Sequence, residues 1–219
     1  MRAITKGPEP ASLTAHCRRP HSDYDNYREK NELRSALVTE QRGLCCYCMG
    51  RIRGDRNSMK IEHWQCQRHY RDRELDYRNL LASCPGRMSG PGGGPPHLQH
   101  CDTKKADRDL EWNPADPDHR IETRIRYELD GAIRAEGDFD GQLDKVLNLN
   151  LPVLRNNRAG VLTAVLEWWK GEKARIGGPV PRNRLVRERD KRTSGDGALT
   201  PYCQVAVWWL NQKLDKMAA

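Results

Sequence analysis

Apolar spacing divides the chain into a short unpatterned start, a compact middle and a helical second half. Thr5 to Pro20 holds Pro8, Pro10 and Pro20 without a period and reads as an extended arm. From Asp25 to Gln41 the pattern turns helical, with Leu33, Ala36 and Leu37 on one face and Gly43 as the stop. Short apolar segments around Ile52 and Met59-Lys60-Ile61 flank the turn-forming run Arg53 to Ser58, which predicts a hairpin. A loop and short helix are expected around Leu75 to Ala82. Five Gly and four Pro between Pro85 and Pro96 then demand a loop, and a second helix should start near Asp102.

Beyond Pro114 and Pro117 the period shortens. Ile121, Thr123, Ile125, Tyr127 and Leu129 alternate with polar residues ahead of Asp130-Gly131, a strand and hairpin signal. From Leu143 the period is helical again. Leu154, Val161, Val165 and Trp168 share one predicted face, and Tyr202, Val205, Trp209 and Leu210 another. The predicted organisation is an arm over 1–24, a core over 25–112 and a mainly helical extension with a small hairpin over 113–219.

Composition narrows the function classes. The chain has 219 residues, a formal net charge of +8, 31% charged and 37% hydrophobic residues. A basic balance favours polyanions, although solubility alone also accounts for it. No apolar run approaches the roughly 18–20 residues of a membrane span, and Met1 to Leu13 lacks the apolar stretch of a signal peptide. A cytoplasmic location is therefore expected. There the eight cysteines stay reduced, and their clustering points to metal rather than disulfides.

Cys45 and Cys48 stand at the spacing with which one tight turn aims two thiolates at one ion. Cys84 and Cys101 are the natural second pair, and an all-sulfur tetrahedron suits structural Zn²⁺. Cys46, Cys66, His97 and His100 are rival ligands. Between the pairs lies Ile61-Glu62-His63-Trp64. Phosphodiester hydrolysis needs a Lewis acid on the phosphate and a base poised near neutral pH; the carboxylate can hold the cation and the imidazole can face the water to be deprotonated. Asn79 either caps a helix or holds something in place. Asp102 can cap the helix it begins, bind a metal, or both. Lys104 and Lys105 suit a phosphate or plain solvent. The same choice applies to Arg184, Arg187 and Arg189, in a stretch where six of the eleven residues from Arg182 to Arg192 are Lys or Arg.

The string Cys45-x-x-Cys48, Glu62-His63, Asn79 and Cys101-Asp102-x-x-Lys105 resembles the zinc-knuckle branch of the HNH endonucleases. Lys6-Gly7-Pro8-Glu9-Pro10, Glu40 to Cys45, Leu75-Asp76-Tyr77 with Asn79-Leu80-Leu81, and Leu147-Asn148-Leu149-Asn150 are similar to the retron-associated and Septu (PtuB-type) HNH proteins of bacterial phage defence. The likeness runs from Ile4 to about Arg158. It implies an α+β fold with a ββα-metal HNH core and a four-Cys zinc knuckle, flanked by an N-terminal helix and a mostly helical C-terminal extension. It implies His63 as general base, Glu62 and Asp102 as ligands of a catalytic Mg²⁺ or Mn²⁺, Asn79 orienting His63, and Cys45, Cys48, Cys84 and Cys101 holding zinc. It implies a nucleic-acid substrate, DNA before RNA, and an ABC/SMC-like ATPase partner (PtuA-type) or a retron RT–msDNA. Glu62 stands where the family has Asp, and Asp102 where it has Asn or His; both keep an oxygen ligand for a hard cation. The alternative is a non-catalytic zinc-binding nucleic-acid module or adaptor subunit, which has no need of Glu62, His63 and Asp102.

Overall fold

The computed structural model describes residues 1–86 and 95–217. Most of the expected Gly/Pro loop, residues 87–94, lies outside the described residues. The fold is α+β: among the described residues there are eight α-helices and two small antiparallel sheets. Within that range no helix is long and apolar enough to cross a membrane.

The first segment is not an extended arm throughout. It carries α1 (Ala11–Cys17), with Leu13 and His16 buried. Two turns are too short to display a helical period, which is why the sequence hid it. Met1 and Ile4 are also buried, and the Ile4 amide bonds the Pro114 carbonyl at 2.8 Å. Helix α2 (Lys30–Glu40) starts later than the pattern suggested, with Leu33 and Leu37 inward. It ends where Arg42 and Gly43 take positive φ values of 53° and 72°. Their amides bond Thr39 and Val38 carbonyls at 3.0 and 2.9 Å, a Schellman ending. This turn delivers the chain into the cysteine knuckle, closed by a bridge between Leu44 and Arg51.

The expected hairpin across Arg53 to Ser58 is corrected. Asp55 accepts the Asn57 and Ser58 amides there at 2.9 and 3.0 Å and makes a tight loop. Strand β1 (Lys60–His63) instead pairs antiparallel with β2 (Leu80–Ser83), Ile61 opposite Ala82 and Glu62 opposite Leu81. The short helix expected over Leu75 to Ala82 shrinks to a 3₁₀ turn at Tyr77–Asn79. Leu80, Leu81 and Ala82 are buried on both faces, so they show no alternation, and such a run reads equally as helix. Long-range bonds decide it. The Gln41 amide group exchanges two 2.7 Å bonds with the Ala82 backbone, and the Cys46 amide donates to the same carbonyl. Helix α3 (Cys101–Lys105) begins where expected but is one turn long.

In the second half, the alternating run splits into α4 (Ile121–Arg124) and β3 (Arg126–Tyr127), which pairs with β4 (Ile133–Arg134). Ile121 and Ile125 are both buried and lie four apart, a spacing that also serves a helical turn. Helices α5 (Asp138–Lys145), α6 (Pro152–Ile176), α7 (Arg182–Lys191) and α8 (Cys203–Asp215) complete the extension. The buried face of α6 is Leu154, Arg158, Leu162 and Val165, while Val161 and Trp168 are half-buried. Arg158 binds the carbonyls of Gly131 and Leu149 at 2.6 and 2.8 Å. The Leu147–Asn150 stretch fastens this half to the first. Leu147 accepts the Cys101 amide at 2.9 Å, and Asn148 bonds the His97 and Gln99 carbonyls. One hydrophobic cluster joins Met1, Leu37, Leu81, Val165 and Leu210.

Candidate metal centre and active site

The knuckle turn places Cys45 and Cys48 side by side. The Cys45 amide bonds Gly50 at 2.9 Å, and the Gly50 amide points at Cys48 Sγ at 3.3 Å. Cys84 follows β2 directly, and Cys101 opens α3. Their four Sγ atoms all lie within 4.8 Å of one another. Cys45 and Cys101 are 3.8 Å apart, and Cys48 and Cys84 3.7 Å. Zn–S bonds of about 2.3 Å make a tetrahedron with edges of about 3.8 Å, so the donor set fits zinc. Burial opposes the Cys45 thiolate, but hydrogen bonds led by Cys101 outweigh it and hold Cys45 well below the usual thiol range. Burial and the Cys45 bond push Cys101 well above it. The cluster thus favours one thiolate held by neighbouring thiol protons, protons that a dication would displace.

None of the rival ligands belongs to this group among the described residues. The Cys46 amide donates to the Ala82 carbonyl, its thiol stays outside the four-sulfur group, and Cys66 is buried but not part of it. His97 sits in a 3₁₀ turn, Pro96–Leu98. His100 comes nearest. Its Nδ1 lies 3.1 Å from Cys101 Sγ and 3.9 Å from Cys84 Sγ, so it buttresses sulfur rather than replacing it.

Beside the cysteines, β1 and α3 bring Glu62 and Asp102 together. Glu62 is only 2% exposed. Its Oε1 accepts Tyr47 Oη at 2.8 Å and Lys105 Nζ at 2.9 Å. Asp102 Oδ2 takes Lys60 Nζ at 2.7 Å. Burial, then a hydrogen bond with Asp102, raise the Glu62 pKa well above the carboxylate range. For Asp102 burial acts the other way from its partners; the Glu62 bond and the Lys60 charge prevail and lower it.

His63 ends β1. Its Nε2 lies 3.0 Å from the Glu74 carbonyl, and its ring meets the Tyr24 ring edge-on at 4.5 Å. A carbonyl only accepts, so Nε2 carries the proton and Nδ1 is left as acceptor. Burial lowers the His63 pKa and keeps the ring in that neutral form.

Asn79 does not touch His63. Its Oδ1 accepts the Gln65 amide at 2.8 Å, and its Nδ2 donates to the Gln65 and Arg73 carbonyls at 3.0 Å each. It clasps the loop between β1 and β2, and that loop supplies the Glu74 carbonyl.

Several expected nucleic-acid contacts are otherwise engaged. Lys105 is 1% exposed and spends its ammonium on Glu62 and the His63 carbonyl, at 3.0 Å from the latter, so it is no surface phosphate ligand. Lys104 remains half-exposed. Most of the stretch Arg182 to Arg192 is helix α7. Arg184 pairs with Glu172 at 2.9 Å and Arg189 with Asp190 at 2.8 Å, while Arg187 is exposed.

Four participants escaped the sequence reading: Tyr47, Lys60, Tyr24 and the Glu74 carbonyl. Tyr47 was hidden between the cysteines. Lys60, two residues before Glu62, carried a strand-spacing signal, and a backbone carbonyl carries none. No family model matches the chain, and no curated protein matches it.

Proposed function

We propose that the chain is a metal-dependent endonuclease of the HNH (ββα-metal) type, hydrolysing phosphodiester bonds of nucleic acid. The observation that carries this reading is His63: neutral, tied by Nε2 to the Glu74 carbonyl, with Nδ1 left as a base near the buried Glu62 and the half-buried Asp102. The order β1, β2, α3, fastened at the four cysteines, supports it as a compact frame for such a site.

Two carboxyls in hydrogen-bond contact need a proton or a cation between them. Glu62 and Asp102 therefore form an oxygen pair suited to a hard divalent ion such as Mg²⁺ or Mn²⁺. A divalent ion held there supplies Lewis acidity to the phosphate and its leaving oxygen. His63 Nδ1 takes the proton of the attacking water, and the Glu74 carbonyl steadies the imidazolium that results. Asn79 holds that carbonyl in place. Cys45, Cys48, Cys84 and Cys101 would hold structural zinc, which would fix α3, and with it Asp102, against β1.

The sequence resemblance extends the proposal to a phage-defence effector. Its partner would be an ABC/SMC-like ATPase of the PtuA type, or a retron RT–msDNA, holding the nuclease in check until infection.

A second reading, a non-catalytic zinc-binding module or adaptor, draws on one observation: Lys105 and Lys60 already give Glu62 and Asp102 one ammonium each. Incubating the zinc-loaded protein with plasmid and total RNA, with Mg²⁺ or Mn²⁺, separates the two. Metal-dependent cleavage supports the nuclease; binding without cleavage under every metal supports the adaptor.

A further inference from the structure

A cleft of about 760 Å³ opens on the outer side of the knuckle. Its walls include Arg51, Arg56, Asn57, Lys60, His100 and Tyr202, and no Asp or Glu among the described residues lines it. Arg51 and Arg56 have no carboxylate partner among the described residues, whereas Lys60 pairs with Asp102 and, on α7, Arg184 and Arg189 pair with carboxylates. Arg51 spends donors on the Gly43 and Leu199 carbonyls, which fixes its position without cancelling its charge. Arg56 and Asn57 are exposed at the rim. One neutral group is a donor as well. The Tyr202 hydroxyl accepts Asn157 at 3.0 Å while its own proton stays available.

The cleft also has a direction. Lys60 lines it and reaches Asp102 at 2.7 Å. Lys60 lies on the strand that carries Glu62 and His63. A chain of phosphates resting on Arg56 and Lys60 therefore arrives at the carboxyl pair. An isolated anion would gain nothing from that continuity.

We propose that this cleft seats the sugar–phosphate backbone of the nucleic acid, through Arg51, Arg56 and Lys60, beside the bond to be cut. The proposal rests on the nuclease reading for what happens next, but not for the binding itself. Phosphate contacts position a strand without reading its sequence, so affinity for DNA and RNA of unrelated sequence should be similar and strongly dependent on salt.

The test is fluorescence anisotropy with fluorescein-labelled single-stranded DNA, duplex DNA and RNA, without added divalent metal, from low to moderate salt. Arg56→Ala should weaken binding several-fold for every sequence and reduce the slope of log K against log salt by about 1. Arg189→Ala, which removes one charge of an ion pair on α7, is the matched control and should change neither. The proposal is overturned if wild-type protein binds none of the probes, if Arg56→Ala keeps wild-type affinity and slope, or if Arg189→Ala loses as much. Cleavage by His63→Ala is scored separately. Undiminished cleavage there overturns the assignment of the base and leaves the cleft to be decided by the anisotropy. Abolished cleavage with a silent Arg56→Ala overturns the cleft alone.

Discussion

Asn79 is the residue whose removal discriminates most finely between a decorative and a working arrangement. It is 4% exposed and makes three bonds to the loop between β1 and β2, at 2.8, 3.0 and 3.0 Å. At about 1 kcal/mol net per bond, Asn79→Ala would cost about 3 kcal/mol. The Gln65 and Arg73 partners are only part-buried, so water recovers some of this, and about 2 kcal/mol is the working figure. For a domain of this size that lowers Tm by about 4–8 °C.

Asn79→Asp keeps the size and the bond from the Gln65 amide, but sets a carboxylate oxygen against two carbonyl oxygens. The folded pKa of the new carboxyl is then raised above its unfolded value of about 3.9. The folded state holds its proton longer, so the penalty grows as pH rises toward the folded pKa and levels off beyond it. Thermal unfolding of both variants between pH 5 and pH 8 measures this. Asn79→Ala should show a nearly constant deficit, and Asn79→Asp one that widens with pH. Nucleic-acid affinity should be retained while cleavage falls, by up to about 100-fold, because the Glu74 carbonyl that orients His63 shifts. Wild-type Tm and wild-type cleavage in Asn79→Ala would refute the clasp.

The other expectations concern metal and charge. Purified protein should carry close to one zinc per chain, and Cys48→Ser should be insoluble or protease-sensitive, since structural zinc contributes on the order of 10 kcal/mol of folding energy; a folded, zinc-free wild-type sample would contradict this. Gly86 has φ +62°, and a Cβ there would stand 1.7 Å from the His100 carbonyl oxygen. Gly86→Ala should displace His100 and Cys101 and speed zinc loss to a chelator, which wild-type kinetics would disprove. Replacing Arg184, Arg187 and Arg189 together by Ala should change nucleic-acid affinity less than Arg56→Ala does, because Arg184 and Arg189 are already paired; a larger loss would return the binding surface to α7.

The sequence was most legible where chemistry is local. Two cysteines three apart fit one turn, and the second pair was recognisable because turn and helix-start residues flank it. The convergence of Glu62 with Asp102 was expected, and the pair is in contact. Legibility failed where tertiary bonds overrule local preference. Leu80-Leu81-Ala82 is good helical material, yet it becomes a strand because Gln41 and Cys46 bond its backbone. Lys105 looked like a surface lysine. Its i, i+3 spacing from Asp102 was the available clue that both face β1, where Glu62 draws the ammonium inward. Asn79 bonds the loop whose Glu74 carbonyl meets His63, and not His63 itself, a link that no side-chain pattern reveals.

The claim at the centre is that His63 is the base. The direct measurement is single-turnover cleavage of plasmid and of RNA by wild type and His63→Ala, at equal zinc content and with saturating Mg²⁺ or Mn²⁺. Positioned bases contribute about 10²–10⁴-fold, and the account predicts a loss of that order with zinc, Tm and nucleic-acid affinity preserved. Cleavage by His63→Ala at the wild-type rate would contradict it.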